Sequence, residues 1–262
     1  MLFEFQSVSA AYGEVPVIID ISLAVSEGEF VSIIGPNGAG KSTILKLVAG
    51  EIAPASGRIC FRGKPLREWH PRERARAFSY VRQMPEGLMP FSVREFIMMG
   101  RFPYRNPAGI ETEADREAAE WAAETTGVTA IADRSITNLS GGELQLVRIA
   151  HALAQNREIL ILDEPVTHLD IAHAVRIMDI LFELHRRGST IIAVLHDVNI
   201  ASDYSSRILG IQRGRLFFSG APRDVIRYDT VEDLFGTPCI VMDNPTTGRP
   251  FVYPVPGHAR RG

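Results

Sequence analysis

The stretch Gly35-Pro36-Asn37-Gly38-Ala39-Gly40-Lys41-Ser42 decides the fold. Phe30 to Ile34 before it is a short apolar run of the kind that makes a buried strand, and a helical pattern follows it through Leu47. Strand, glycine-rich loop and helix in that order match the phosphate-loop pattern without a gap. Each residue type has a physical task. The glycines let backbone N–H groups converge on phosphate oxygens. The helix that follows points its positive end at the same charge. Lys41 adds a mobile cation, and Ser42 a hydroxyl suited to Mg²⁺. With Thr43, which follows directly, Gly35 to Ser42 are the candidate residues for binding ATP.

Downstream, Ile159-Leu160-Ile161-Leu162-Asp163-Glu164 is an apolar strand ending in two acids. A strand alternates its faces, so the two carboxylates leave its end in different directions. Asp163 fits the metal-holding role, directly or through water. Glu164 fits the role of a base facing the attacking water.

The rest of the chain fits around these two strands. Leu2 to Val8 and Ile19 to Val25 read as strands separated by a turn at Tyr12-Gly13, and Arg58 to Phe61 and Ser79 to Val81 as further strands. From about residue 84 to 155 the texture turns helical, with patterns over Val93 to Met99, Glu111 to Thr125 and Leu144 to Ala154. Then a β/α rhythm returns, with a helix over Ala172 to His185 and a strand over Thr190 to Leu195. Such alternation predicts a largely parallel sheet with helices packed on it. A tail from Val231 to Gly262 carries a short helix and two strand-like runs, Cys239 to Met242 and Phe251 to Val255.

Composition narrows the class. The chain has 262 residues and a net charge of −3, which argues against a nucleic-acid binder that relies on bulk positive charge. Cys60 and Cys239 form neither metal-type spacing nor a disulfide framework, so both are expected as reduced thiols. Met1 to Ala10 lacks the basic flank and apolar core of a signal peptide. No stretch approaches the roughly 20 apolar residues that span a bilayer, so work at a membrane would need another subunit to hold the chain there.

Leu139-Ser140-Gly141-Gly142-Glu143 opens a helix with a serine hydroxyl and bare backbone N–H groups, a second anion site in a chain that already has a phosphate loop. The motif resembles the signature of ATP-binding-cassette proteins, in which two subunits pack head to tail. The resemblance covers essentially the whole chain and implies an α/β fold. Its parts would be a P-loop NTPase core with a largely parallel sheet, an N-terminal antiparallel β subdomain and an inserted helical subdomain. It implies that Ser140, Gly141 and Gly142 grip the nucleotide of a second copy. Tyr12 would stack on adenine, and Asp170, in His168-Leu169-Asp170, would lie in the loop that crosses the dimer. His196 would contact the γ-phosphate. Gln83 would link nucleotide, metal and transmembrane partner, and so is both a catalytic and a metal candidate. With Gln83, the metal set is Ser42 and Asp163; the catalytic set is Glu164, His196 and Gln83. One departure is Val166, where many relatives carry threonine.

The branch of the family follows from what is missing. There are no fused membrane helices, no coiled coil between Gln83 and Ser140, and one phosphate loop. A stand-alone importer ATPase remains. Phe91 to Tyr104, and the tail around Asp243 to Pro250, resemble the ATPases of ferric-siderophore, haem and cobalamin importers. That resemblance implies a peripheral place on the cytoplasmic face of the membrane. It also implies a polytopic permease docked near Met84 to Tyr104, with Met99 and Tyr104 facing solvent, and a substrate-binding protein reached only indirectly. Other importer cargo, or a soluble ATP-driven regulator without a permease, are the alternatives.

Overall fold

The computed structural model describes residues 1–82, 89–105 and 109–257. Gln83 and the first part of the Met84 to Tyr104 stretch therefore lie outside the described residues. The elements in chain order are β1 (Phe3–Tyr12), β2 (Val15–Val25), β3 (Phe30–Ile34), α1 (Lys41–Ala49), β4 (Ser56–Phe61), β5 (Lys64–Pro65), α2 (Pro71–Ala77) and β6 (Ser79–Val81). Next come α3 (Val93–Met99), α4 (Glu113–Thr126), α5 (Gly141–Gln155), β7 (Ile159–Asp163), α6 (Ile171–Arg186), β8 (Thr190–Val194), α7 (Val198–Tyr204) and β9 (Arg207–Gln212). The chain closes with β10 (Arg215–Gly220), α8 (Pro222–Val225), α9 (Tyr228–Phe235), β11 (Cys239–Asp243) and β12 (Pro250–Pro254).

The chain forms two compact units, one of Met1–Glu68 with Ile192–Gly262 and one of Trp69–Ile191. In the first, an antiparallel sheet runs in the order β2-β1-β4-β5. A second set of strands follows the order β10-β9-β3-β8, with β3 parallel to β9. All five residues of β3 are buried, as are all five of β8, in which the division between units falls. Continuous burial is what an apolar run without alternation predicts for a strand covered on both faces. β1 and β2 are longer than their apolar cores, because register shifts between Phe5 and Ala11 keep the pairing going to Tyr12↔Val15. The tail folds into the short helix α9 and the two-stranded β11-β12 pair.

The second unit pairs β6 with β7 in parallel and holds α2 to α6. Its helices start on side-chain caps. Ser92, Thr112 and Ser140 each accept from the N–H three residues on, and an acid at that third position answers back. α4 then ends on Gly127 in the left-handed conformation. α2 has no buried residue, and so had no apolar periodicity by which to be read; His70, Pro71 and Glu73 start it instead. The β9–β10 hairpin was likewise not anticipated. Gly210 breaks the apolar run of β9, because the Phe218 ring of β10 lies where its side chain would be.

Candidate functional site

In the first unit β3 delivers Gly35 into a place only glycine can occupy. Its φ is 149° and a β-carbon there would overlap the carbonyl of Ile211. Five residues on, Gly40 has φ 100° and forms the N-cap of α1 without a side-chain cap. α1 also has no acid in its first turn. Its positive end is thus not neutralised by its own side chains, which leaves it open to an external anion.

Lys41 is the cation of this loop and is buried. Its Nζ donates to the Gly35 carbonyl at 2.8 Å and the Pro36 carbonyl at 3.0 Å. The charge is therefore held across the mouth of the loop by weak, exchangeable acceptors that an anionic phosphate would outcompete. Ser42 is half-buried and Thr43 buried, while Asn37 and Gly38 are exposed at the loop's tip. Tyr12, at the end of β1, is 47% exposed with Lys46 Nζ 5.8 Å from its ring centre, a free face suited to stacking. His196 follows β8 by two residues and is exposed. The preceding Leu195 N–H donates to the Ile33 carbonyl of β3 at 3.1 Å, so the histidine and the phosphate loop leave paired strands.

In the second unit β7 ends on Asp163, which is buried, and Glu164 is half-buried. Glu164 has φ 54° and His168 φ 63°, left-handed conformations that non-glycine residues adopt rarely and at a cost. A strained acid directly after a buried one fits the different roles expected for the pair.

The signature residues and Asp170 come together. Ser140 caps α5 by accepting from Glu143 N–H at 3.3 Å, and the Glu143 carboxylate accepts from Ser140 N–H at 2.8 Å. Those bonds from Ser140, with the Arg134 guanidinium 2.8 Å from the same carboxylate, hold Glu143 below its ordinary pKa. Gly142 is buried against His173, whose ring leaves no room for a β-carbon. Asp170 in turn caps α6, accepting from His173 N–H at 2.8 Å with its carboxylate 2.9 Å from His173 Nδ1. Those hydrogen bonds pull the Asp170 pKa down. His173 is thus the link between the signature glycine and Asp170, and it was not singled out from the sequence. Its position three residues into a helix capped by Asp170 was the available signal.

Tyr104 differs from expectation. It is half-buried, its hydroxyl donates to the Gln155 carbonyl at 2.9 Å, and Arg101 sits 3.8 Å over its ring. Its polar tip and ring face are used inside the unit. Met99 is half-buried, whereas Met89 and Phe102 are exposed, Phe102 by 73%. Cys60 is buried and Cys239 half-buried, both as free thiols. No cluster of metal-ligating side chains occurs among the described residues, and no helix there is long and apolar enough to cross a membrane.

The first unit thus carries a glycine loop on a helix N-terminus, and the second a strand-end acid pair and a capped helix start. Residues 18–167 match the ABC transporter family model, and the chain belongs to that family. It is 35% identical over 251 residues to the ferric enterobactin transport ATP-binding protein FepC of Escherichia coli strain K12, covering 95% of this chain and 93% of the relative. It is 38% identical over 239 residues to the hemin import ATP-binding protein HmuV of Nocardia farcinica, covering 91% and 82%. Among solved structures, the inward-facing form of a metal-chelate type ABC transporter superposes with a TM-score of 0.86 at 23% identity, over 98% of both chains. The last likeness establishes the fold, an α/β cassette with a mostly parallel sheet and an antiparallel β subdomain. The chain is an ATP-binding transport subunit and an ATPase.

Proposed function

We propose that this subunit hydrolyses MgATP at a site shared by two copies packed head to tail, and so drives uptake of an iron chelate, haem or cobalamin through a separate permease. The observation that carries the reading is the phosphate loop itself. A buried lysine opens a helix with no side-chain cap, and the strand before its loop is paired through Leu195 to the strand that leads to His196. In this reading Lys41 and the N–H groups of Gly35 and of Asn37 to Thr43 bind the β- and γ-phosphates, and Tyr12 stacks on the base. Ser42, Asp163 and Gln83 supply oxygen ligands, the donor type a hard cation such as Mg²⁺ takes. When bound, that ion neutralises charge developing on the phosphates. Glu164 orients and deprotonates water, and His196 contacts the γ-phosphate. Ser140, Gly141, Gly142 and Asp170 serve the nucleotide of the other copy.

The cargo class rests on the likeness to siderophore and haem importer subunits and on the Phe91 to Tyr104 and Asp243 to Pro250 segments. With it goes the peripheral place on the cytoplasmic face. We assign residues 84–155 to the helical subdomain and 231–262 to a C-terminal extension of a single ATP-binding domain. Exposed Met89 and Phe102 support docking of the permease near Met84 to Tyr104. The test is purification of the tagged chain from membranes. A polytopic permease with a binding protein specific for such a cargo is the expected companion. Recovery with the permease of a sugar or amino-acid importer would replace the cargo assignment, and recovery without any membrane protein would replace the importer.

A further inference from the structure

The C-terminal hairpin lies outside the family-matched residues 18–167 and has no part in the chemistry above. It is fastened along the whole of α7, the helix that begins two residues after His196. α7 has only seven residues, too few to hold a helix without support from neighbours. Asp197 starts it by accepting from the N–H groups of Asn199 at 2.7 Å and Ile200 at 3.2 Å. The hairpin holds the rest. The Asn199 amide exchanges two hydrogen bonds with the backbone of Val252, accepting at 2.7 Å and donating at 3.1 Å, so that it stands in for a neighbouring strand. Ser202 Oγ donates to the Pro250 carbonyl at 2.6 Å. Arg249 Nη1 donates to the carbonyls of Ser202 at 2.9 Å and Ser205 at 2.6 Å, placing a cation at the helix's negative end. Thr247 Oγ1 reaches Asp203 at 2.6 Å.

His196 is therefore set from two sides. Leu195 ties it to β3 and so to the phosphate loop. On its other side Asp197 joins it to α7, which Asn199 and Arg249 tie to the hairpin. A cavity of about 330 Å³ lined by His196, Asn199, Phe235, Cys239 and Val252 adjoins this joint.

We propose that the 239–254 hairpin is a positioning clamp for His196, and that Asn199 is the positioning residue through which it acts. The inference rests on the role given to His196 in hydrolysis. Asn199 touches no nucleotide in this scheme; it keeps the imidazole where the γ-phosphate will be. Removing it is expected to slow hydrolysis and leave nucleotide binding at the phosphate loop intact.

The experiment is a double-mutant cycle on the full chain, measured by single-turnover release of γ-phosphate together with ATP affinity. Asn199→Leu keeps the side-chain size and loses both hydrogen bonds. Its rate is expected to fall on the order of tenfold to a hundredfold, the usual effect of misplacing a reacting group by about 1 Å. Affinity is expected to stay within about twofold, since the ground-state phosphate contacts are untouched. Asn199→Asp, which still accepts from Val252 N–H, should fall between. In a His196→Ala background, Asn199→Leu should cost no further rate, because it acts only through that imidazole. An additive loss in that background, or an unchanged rate in the single variant, overturns the clamp. A fully active His196→Ala protein instead overturns the role of His196, and the clamp with it. If Asn199→Leu does not fold, Arg249→Met at the other end of α7 takes its place in the same cycle, with the same outcomes decisive.

Discussion

Gly142 and His173 are packed so closely that a β-carbon on Gly142 would overlap the His173 ring. That ring is held by Asp170, whose carboxylate lies 2.9 Å from Nδ1. The glycine of the signature is thus required by this neighbour.

Gly142→Ala should therefore displace the start of α5 or break the Asp170–His173 pair, at a cost of about 1–3 kcal/mol in stability. Its ATPase should fall by about tenfold or more, since both partners belong to the proposed site for the second copy's nucleotide. Adding His173→Ala should restore most of the stability by making room. Urea unfolding of the single and double variants checks the steric part. Equal stability of Gly142→Ala and wild type would show that the ring can simply turn away.

Lys41→Ala should abolish tight MgATP binding. The side chain is buried and aimed across the loop by the Gly35 and Pro36 carbonyls, so its loss removes the charge-assisted contact that the phosphates would make. Titration with a fluorescent ATP analogue is the check. Near-normal affinity would contradict the phosphate-loop assignment.

His151 gives a pH signature independent of nucleotide. Burial, with the Arg148 charge beside it, lowers its pKa from 6.5 to about 4. The unfolded chain then binds a proton between these values that the folded chain refuses, so stability is full above about 6.5 and is lost as pH falls toward 4. A shift of this size corresponds to about 3 kcal/mol. His151→Phe, which keeps a ring against Phe96, should flatten that part of the profile. Urea midpoints between pH 7 and pH 4 are the measurement, and identical slopes for the two proteins would be the contrary result.

Phe102 is the better probe of permease docking than Tyr104, which is occupied within the unit. Phe102→Glu should leave folding and ATP affinity as they are and abolish recovery of the permease from membranes. Retained transport would place the docking surface elsewhere.

The sequence made some of this legible and hid the rest for identifiable reasons. β3, β7 and β8 were readable because both faces are covered and the runs are almost wholly apolar, with Ser32 the one polar residue inside β3. α4 and α5 were readable as the helical patterns Glu111 to Thr125 and Leu144 to Ala154, and the start of α5 from Ser140. α2 was not, since all its side chains stay out of the core and only caps specify it. Within the site, Lys41, Asp163 and Glu164 announce themselves because motif and strand end coincide. His173 and Asn199 do not. His173 packs against a signature glycine far back in the chain and Asn199 pairs with the backbone of Val252 far ahead of it, and no local pattern encodes either contact.

Glu164 tests the central claim most directly. It directly follows the buried Asp163 and has φ 54°, a conformation that costs energy. Glu164→Gln should still bind MgATP while turnover drops by about 10²–10⁴, the usual loss on removing a general base. The unhydrolysed nucleotide should then hold two copies together. Light scattering after size exclusion in MgATP is expected to give twice the mass of the subunit for Glu164→Gln, and the subunit mass when ATP is omitted. A Glu164→Gln protein that stays monomeric in MgATP and hydrolyses at the wild-type rate would contradict both the base and the shared site.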